Sequence, residues 1–291
     1  MSRVEYEYFI DFSYPESINP DSDFDKTYIV DDTSYFTIRD NQGSKGCTFT
    51  LYTKQSTDDA EAHDPTAYEL YAIELERLYK IVKLSITYLT GYIVKGNQSN
   101  DQLKNMSDSL PKIQHNFYDR CKRANVNLSR QIGIEEFRIS AYIINKLNPE
   151  RLELLNRMIK STKSDIDNVK LDVLESYFKG FISRICPYFD WYHIVEVFLN
   201  PKLKFFQKTT NNEIPDFIKF GNNRADLKFL RLYAHRFRHS SHHINSIKAA
   251  KKLASDPKRA IYLDSPQKAR SYYEMNLRII LDQIIRATRI T

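Results

Sequence analysis

Glycine is scarce in this sequence, which has 7 glycines among its 291 residues. Large β-sandwiches, barrels and doubly wound nucleotide-binding folds depend on many tight turns, and glycine makes most of those turns possible. The composition therefore disfavours these architectures. The sequence also contains no Walker loop, dinucleotide glycine fingerprint, Gly-x-Ser-x-Gly elbow or HExxH motif, so nothing in it points to an ATPase or a kinase.

Long apolar runs and a cysteine framework are missing as well. No run of about 18 apolar residues is present, so we expect no transmembrane helix, and the first residues lack the apolar stretch of a signal peptide. The three cysteines, Cys47, Cys121 and Cys186, are isolated and fit neither a disulfide framework nor a zinc ribbon. We therefore expect a cytoplasmic protein with reduced thiols, no membrane association and no cofactor.

Charge is distributed unevenly along the chain. Residues 1–65 carry 5 Lys and Arg against 14 Asp and Glu, whereas residues 201–291 carry 19 against 7. A basic segment of this kind is the electrostatic footprint expected for binding phosphate backbones. The alternatives are a solvated lysine-rich face and pairing with the acidic head of the same chain.

The pattern of apolar residues predicts an α+β fold that is mainly α. Alternating aromatic and β-branched residues predict a small antiparallel sheet with strands at 4–12, 26–30, 34–39 and 47–52, a turn at 40–43 and a polar connector at 55–64. Helical periodicity then predicts helices at 65–96, 135–147, 149–160, 165–186, 188–199, 224–242 and 266–289, with an exposed loop at 96–109 and a basic connector at 243–263. We expect three segments: an acidic β-rich head at 1–64, a long helix and polar linker at 65–133, and a helical domain at 134–291. Tyr273, Leu277, Ile280 and Ile284 form an apolar stripe on the last helix.

The predicted helix at 224–242 has a cationic face. Six residues recur at spacings of three and four, which places them on one side of a helix: Arg224, Lys228, Arg231, His235, Arg238 and His242. No Asp or Glu interrupts this stripe, so it lacks the i,i+4 ion pairs of an ordinary surface helix. An anion bound there would offset the repulsion. We assign RNA binding to Arg224, Lys228, Arg231, His235, Arg236 and His242.

Arginine and histidine together suit RNA cleavage without a metal. Histidine titrates near neutrality and can take a proton from a 2′-hydroxyl or give one to a leaving 5′-oxygen. Arginine stays charged and grips phosphate oxygens as charge builds in the transition state. A metal site at His239, His242 and His243 is disfavoured because Arg236 and Arg238 would repel a cation.

The segment Arg238-His239-Ser240-Ser241-His242-His243 resembles the signature of the HEPN family of helical domains. In that signature an Arg, usually followed by a polar residue, precedes a His with four to six residues between them. Arg238 and His243 have four residues between them, and His239 occupies the polar position. The context is similar too, because an apolar helix precedes the motif and an amphipathic helix ends the chain. The resemblance covers residues 134–291 at most.

The resemblance implies a HEPN-like helical bundle and a metal-independent endoribonuclease of the toxin or antiviral defence type. Such proteins form homodimers in which two motifs face each other in one composite site. If the roles of the family motif are carried over to this sequence, Arg238 binds and polarises the scissile phosphate. His243 then acts as an acid or base or orients the 2′-hydroxyl, and His239 positions the backbone or the other two groups. The acidic head is not part of the resemblance. Its charge alone suggests that it restrains the basic tail, recognises a trigger or binds an antitoxin or regulatory partner.

Alternatives stay open at this stage. Arg236 with His242 or His243 also satisfies the spacing, so the register of the motif is not fixed. A non-catalytic HEPN-like module that binds RNA, nucleotide or a protein partner is the second hypothesis, and a helical scaffold with incidental histidines is the third. His193 is expected to be a satisfied core or boundary residue, and Trp191 to pack in a core or dimer interface rather than to stack on a base.

Overall fold

A computed structural model describes residues 3–14, 25–40, 46–58, 65–94, 147–183, 186–206, 214–238 and 244–287. Its helices and its small antiparallel sheet confirm the predicted α+β, mainly α fold. The chain divides into two compact units, an N-terminal unit, Met1–Ser164, and a C-terminal unit, Asp165–Thr291. None of the helices in the described part of the chain combines the length and the apolar character that a membrane crossing needs.

Four antiparallel strands open the N-terminal unit. They are β1 (Arg3–Tyr14), β2 (Asp25–Ile29), β3 (Ser34–Asp40) and β4 (Cys47–Asp58), in the spatial order β1-β4-β3-β2. The four predicted strands are therefore confirmed. The predicted connector at 55–64 is wrong in its first part, because β4 continues through residues 55–58 and Arg3 pairs with Asp58. A polar strand end is stable here because the ladder satisfies its backbone groups.

Alternation along the strands gives the sheet one buried face. Phe36 and Ile38 of β3 and Phe49 and Leu51 of β4 are fully buried. The long helix α1 (Pro65–Thr90) lies against the sheet, and the Phe12 and Tyr79 rings meet edge to face with centroids 5.8 Å apart. Burial of this apolar face is what holds the helix to the sheet.

Helix α1 ends earlier than predicted. Its last residue is Thr90, and Gly91 follows at a φ of +74°, the left-handed conformation of a glycine C-terminal stop. The predicted stop at Gly96 is therefore wrong, and the helix stops at the preceding glycine of the sequence, Gly91. Helix α2 (Pro149–Lys163) packs on α1, and the Asn148 side chain caps it by accepting from the Arg151 amide at 2.9 Å.

The C-terminal unit contains six helices and one hairpin in its described residues. They are α3 (Val169–Ile182), α4 (Tyr188–Leu199), the strands β5 (Phe217–Phe220) and β6 (Asn223–Asp226), then α5 (Leu227–Arg238), α6 (Ile244–Ala254), α7 (Pro257–Ala260) and α8 (Pro266–Arg286). Helix α8 packs against α3, α4 and α5. Its predicted apolar stripe, from Tyr273 to Ile284, is buried. Trp191 is fully buried, and its indole N–H donates to the Tyr177 carbonyl at 3.0 Å, so this ring is part of the core.

Two predictions for this unit are wrong. The helix predicted at 224–242 begins at Leu227, because residues 223–226 pair with 217–220 as a hairpin. The basic connector predicted at 243–263 contains α6 and α7. Ala249 and Leu253, one turn apart on α6, are buried and provide the small apolar stripe that holds this lysine-rich helix.

Some predictions lie outside the described residues. These are most of the turn at 40–43, the loop at 96–109, the helix at 135–147 apart from its last residue, and the domain boundary at 133/134. They stay predictions.

Candidate functional site

A buried ion pair fixes the start of α5. Asp226 precedes the helix and its Oδ1 accepts from the Phe229 amide at 2.9 Å, as an N-cap does. The same carboxylate accepts from Arg259 Nε at 2.8 Å, and the side chains of Asp226 and Arg259 are only 1% and 3% exposed. Burial alone lowers the pKa of Arg259, but hydrogen bonds to Asp226 and Asp256 outweigh it and raise that pKa. Arg259 therefore stays charged, and its role is structural.

The first turn of α5 is electrically neutralised. Lys228 Nζ donates to Asp216 Oδ2 at 3.0 Å and lies 3.8 Å from Asp256. Arg224 belongs to β6 instead of α5, and its guanidinium lies 3.6 Å from the centroid of the Phe217 ring. The sequence shows no acidic residue within the cationic stripe, but the structure nevertheless provides Lys228 with acidic partners. The carboxylates come from segments outside the helix.

The second half of α5 keeps its positive charge. Arg231 is half-buried and Arg236 is exposed, and neither has an ion-pair partner among the described residues. His235 turns towards α4, where its Nε2 lies 3.4 Å from the Tyr192 hydroxyl. Cations near a helix C-terminus also interact favourably with the helix dipole. The C-terminal half of α5 can therefore keep positive charges without ion-pair partners, whereas carboxylates neutralise the cation in its first turn.

The motif itself falls at the junction of two helices. Arg238 is the last residue of α5, and α6 begins at Ile244 and packs on α5. The Arg238 side chain and His239, His242 and His243 lie outside the described residues. Their mutual geometry and the register of the motif stay predictions.

Helices α6 and α7 add basic residues that the sequence analysis assigned to a connector. Lys248, Lys251 and Lys252 on α6 and Lys258 on α7 are exposed. None of the four has an ion-pair partner within the described part of the chain. These lysines, with Arg231 and Arg236, form what we call the basic surface of the C-terminal unit.

A cavity of about 380 Å³ that no sequence pattern predicts lies between α3 and α4. Asp172, Ser176 and Lys179 of α3 line it at helical spacing, Tyr188, Tyr192 and their neighbours of α4 line the opposite side, and Ala234 of α5 contributes to the wall. We call this space the interhelical cavity. The helical spacing is visible in the sequence, but no sequence signal shows that the two stripes face each other.

A histidine–carboxylate pair lies at this cavity. His193 Nε2 and Asp172 Oδ2 are 2.7 Å apart, and both side chains are about half exposed, at 43% and 55%. His193 is therefore a satisfied boundary residue, as expected. Within the described residues, no group of three or more His, Cys, Asp or Glu is placed to hold a metal ion.

Comparisons of the chain with protein-family models, curated proteins and solved structures find no match. The functional assignment therefore depends on the chemistry of the chain's own residues.

Proposed function

We propose that this protein is a metal-independent endoribonuclease of the HEPN type, acting in the cytoplasm as a toxin or antiviral defence effector. Arg238 would bind and polarise the scissile phosphate, and His243 would move the proton of the 2′-hydroxyl or of the leaving 5′-oxygen. His239 would position the other two. Two copies of the chain would pair their motifs into one composite site.

The basic surface is the observation that carries this proposal. Arg231 and Arg236 precede the Arg/His segment on α5, and Lys248, Lys251 and Lys252 follow it on α6. An excess of exposed cations without ion-pair partners favours binding of a polyanion, since each phosphate contact releases a condensed counterion. Neutralisation of Lys228 and Arg259 by nearby carboxylates shows that the same unit pairs its cations elsewhere.

The chemistry requires nothing beyond these side chains. A guanidinium at the phosphate stabilises the charge of the phosphorane-like transition state, and it cannot lose its proton at physiological pH. An imidazole near its ordinary pKa serves as base in one step and acid in the next. The expected products are RNA fragments with 2′,3′-cyclic phosphate ends. The acidic N-terminal residues would take an antitoxin or regulatory partner.

The test is cleavage of total RNA and short RNAs by the purified full chain in the presence of EDTA. Arg238→Ala and His243→Ala should each abolish cleavage. Arg157→Ala, an exposed arginine on α2 without an ion-pair partner in the described residues, is the matched control and should cleave as the natural chain does. If His242→Ala is silent and His243→Ala is not, the register is Arg238–His243 or Arg236–His243, and Arg236→Ala separates these two.

Three results would count against the ribonuclease. The first is cleavage that EDTA stops. The second is cleavage that survives both Arg238→Ala and Arg236→Ala. The third is folded protein that binds RNA with steep salt dependence but never cuts it. The last result would favour the non-catalytic module, for which Arg238→Ala weakens binding only. Absence of any salt-dependent RNA affinity would favour the helical scaffold.

A further inference from the structure

The interhelical cavity is built into the packing of α3 and α4. The two helices approach closely at Gly180, where an added Cβ would lie 2.3 Å from Trp191 Cδ1. The Asp172–His193 hydrogen bond ties them together again at 2.7 Å. The helices leave a space of about 380 Å³ beside these contacts, lined by Asp172 and His193 among others, within the range typical of small-molecule sites, roughly 300–1,000 Å³.

The charge of the cavity is opposite to that of the chain around it. Three carboxylates line it, from Asp172, Asp190 and Glu196, against the ammonium of Lys179 and the imidazole of His193, which is hydrogen-bonded to Asp172. That ammonium lies 3.9 Å from Glu175, a carboxylate on the same helix. Residues 201–291 carry a large excess of Lys and Arg, so an acidic cavity in the same unit selects a different kind of ligand from the basic surface.

The charge of Asp190 is only partly compensated. It is partly buried, and among the described residues it has neither a hydrogen bond nor an ion pair within 4 Å. Burial raises the pKa of its carboxyl, and the charge of Lys179 lowers that pKa only in part. A cation in the cavity would relieve this cost directly.

Two further features fit an organic ligand. Tyr188, Phe189 and Tyr192 line the cavity, and aromatic faces attract ammonium groups. Ser176 also lines it, is only 7% exposed, and its hydroxyl has no hydrogen-bond partner within the described part of the chain. A hydroxyl that faces the cavity can donate a hydrogen bond to a ligand or water, or accept one from an ammonium group.

We propose that the interhelical cavity binds a small aliphatic amine carrying two or more ammonium groups. An inorganic anion would meet three carboxylates. A compact metal ion would need converging ligands, and no such group is found in the described residues. A flexible diamine or triamine carries its charges apart and can reach carboxylates that come from two helices. This site does not depend on RNA cleavage, so either proposal can fail without the other.

The test is calorimetric titration of the full chain at low ionic strength with 1,4-diaminobutane and with spermidine. The matched neutral ligand is 1,4-butanediol, which has the same length and no charge, and Mg²⁺ tests simple charge screening. We expect saturable binding of both amines and none of the diol. Trp191, the single tryptophan of the chain, packs against Tyr188 of the cavity with ring centroids 6.1 Å apart, so its fluorescence should follow the same titration.

Variants locate the binding. Asp190→Asn and Glu196→Gln should each weaken binding of the amines by about threefold to tenfold, as expected for losing one partly exposed charged contact. Asp32→Asn removes an exposed carboxylate of the N-terminal unit and should leave the affinity unchanged. Circular dichroism checks that each variant is folded. Binding of the diol, equal binding of Mg²⁺, an equal loss in Asp32→Asn, or no saturable binding by folded protein would each overturn the proposal.

Discussion

At the scale of single residues, the C-terminal unit depends on one carboxylate. Asp226 accepts hydrogen bonds from the Phe229 amide, from Arg259 and from the Tyr272 hydroxyl, and its own amide donates to Asn276. It therefore starts α5 and also compensates a buried guanidinium. Desolvation comes first among the causes that raise the pKa of the Tyr272 phenol to about 12, and the nearby Asp226 charge adds to it.

Asp226→Asn should destabilise the protein strongly. Asparagine keeps the shape and the capping ability of aspartate, so the change isolates the charge. Breaking a buried ion pair costs about 3–5 kcal/mol, and we expect about 3 kcal/mol because Asp256 still accepts from Arg259. Chemical denaturation measures the free energy of unfolding. Asp264→Asn, which breaks the exposed pair with Lys268, should cost less than about 1 kcal/mol, and equal losses would contradict a special role for Asp226.

A second residue-scale prediction concerns acid stability in the N-terminal unit. Burial raises the pKa of Asp31, but hydrogen bonds from Lys163 and Thr33 outweigh it, and the net pKa lies below the ordinary value of 3.8. A carboxyl with a lowered folded-state pKa stabilises the protein above its unfolded pKa. That stability is lost as the pH falls through the folded-state value.

Asp31→Asn should remove this dependence. Denaturation midpoints measured from neutral pH down to about pH 2 should fall more steeply for the natural chain than for the variant, and the two curves should converge at the acid end. Glu150→Gln, an exposed carboxylate at the start of α2, is the control and should follow the natural chain. Parallel curves for the natural chain and Asp31→Asn would show that the Lys163 contact adds no stability.

At the scale of elements, sequence patterns predict what is long and regular. The strands β1, β2 and β3 and the helix α4 lie within about two residues of their predicted bounds, because alternation and 3.6-residue periodicity are clear there. Strand β4 begins where predicted, but its polar end extends to Asp58. The hairpin β5–β6 was missed because its strands have four residues each, too few to show alternation. The sequence predicts a connector in place of helix α6, because Ala249 and Leu253 are a weak apolar signal among lysines.

Gly180→Ala should test the close approach of α3 and α4. Alanine favours a helix over glycine by about 1 kcal/mol, but its Cβ would lie 2.3 Å from Trp191 Cδ1. Overpacking of this kind costs about 1–3 kcal/mol, and the buried indole has no room to move because Tyr177 holds its N–H. We expect a net loss of stability and a changed Trp191 fluorescence. Lys179→Ala, the neighbouring exposed position, should change stability by less than about 0.5 kcal/mol, and a stabilising Gly180→Ala would contradict the packing argument.

At the scale of the whole molecule, the sequence predicts the charge of a surface better than its geometry. The excess of cations beyond residue 200 was visible from composition, but the neutralisation of Lys228 by Asp216 and Asp256 was not, because these residues are distant along the chain. The interhelical cavity was invisible for the same reason. Its walls come from three helices, and only their packing brings Asp172, Ser176 and Ala234 to one space.

The basic surface makes a prediction about salt that can be measured without cleavage. In the Arg238→Ala background, short single-stranded RNA should bind with an affinity that falls as salt rises, with a log–log slope of about −0.7 for each phosphate contacted. Replacing Lys248, Lys251 and Lys252 together by alanine should flatten the slope by about 2 if all three touch phosphates. Their helix propensity is close to that of alanine, so α6 should persist.

The control separates a local contact from net charge. Lys160 is an exposed lysine on α2 of the N-terminal unit, and Lys160→Ala removes the same charge as any one of the α6 lysines. It should lower the affinity only slightly and leave the slope unchanged. If Lys251→Ala and Lys160→Ala behave alike, RNA responds to the overall charge of the chain, and the argument that places it beside the Arg238–His243 segment loses its support. If only the α6 lysines change the slope, the phosphate backbone runs over α6, the helix that follows the motif.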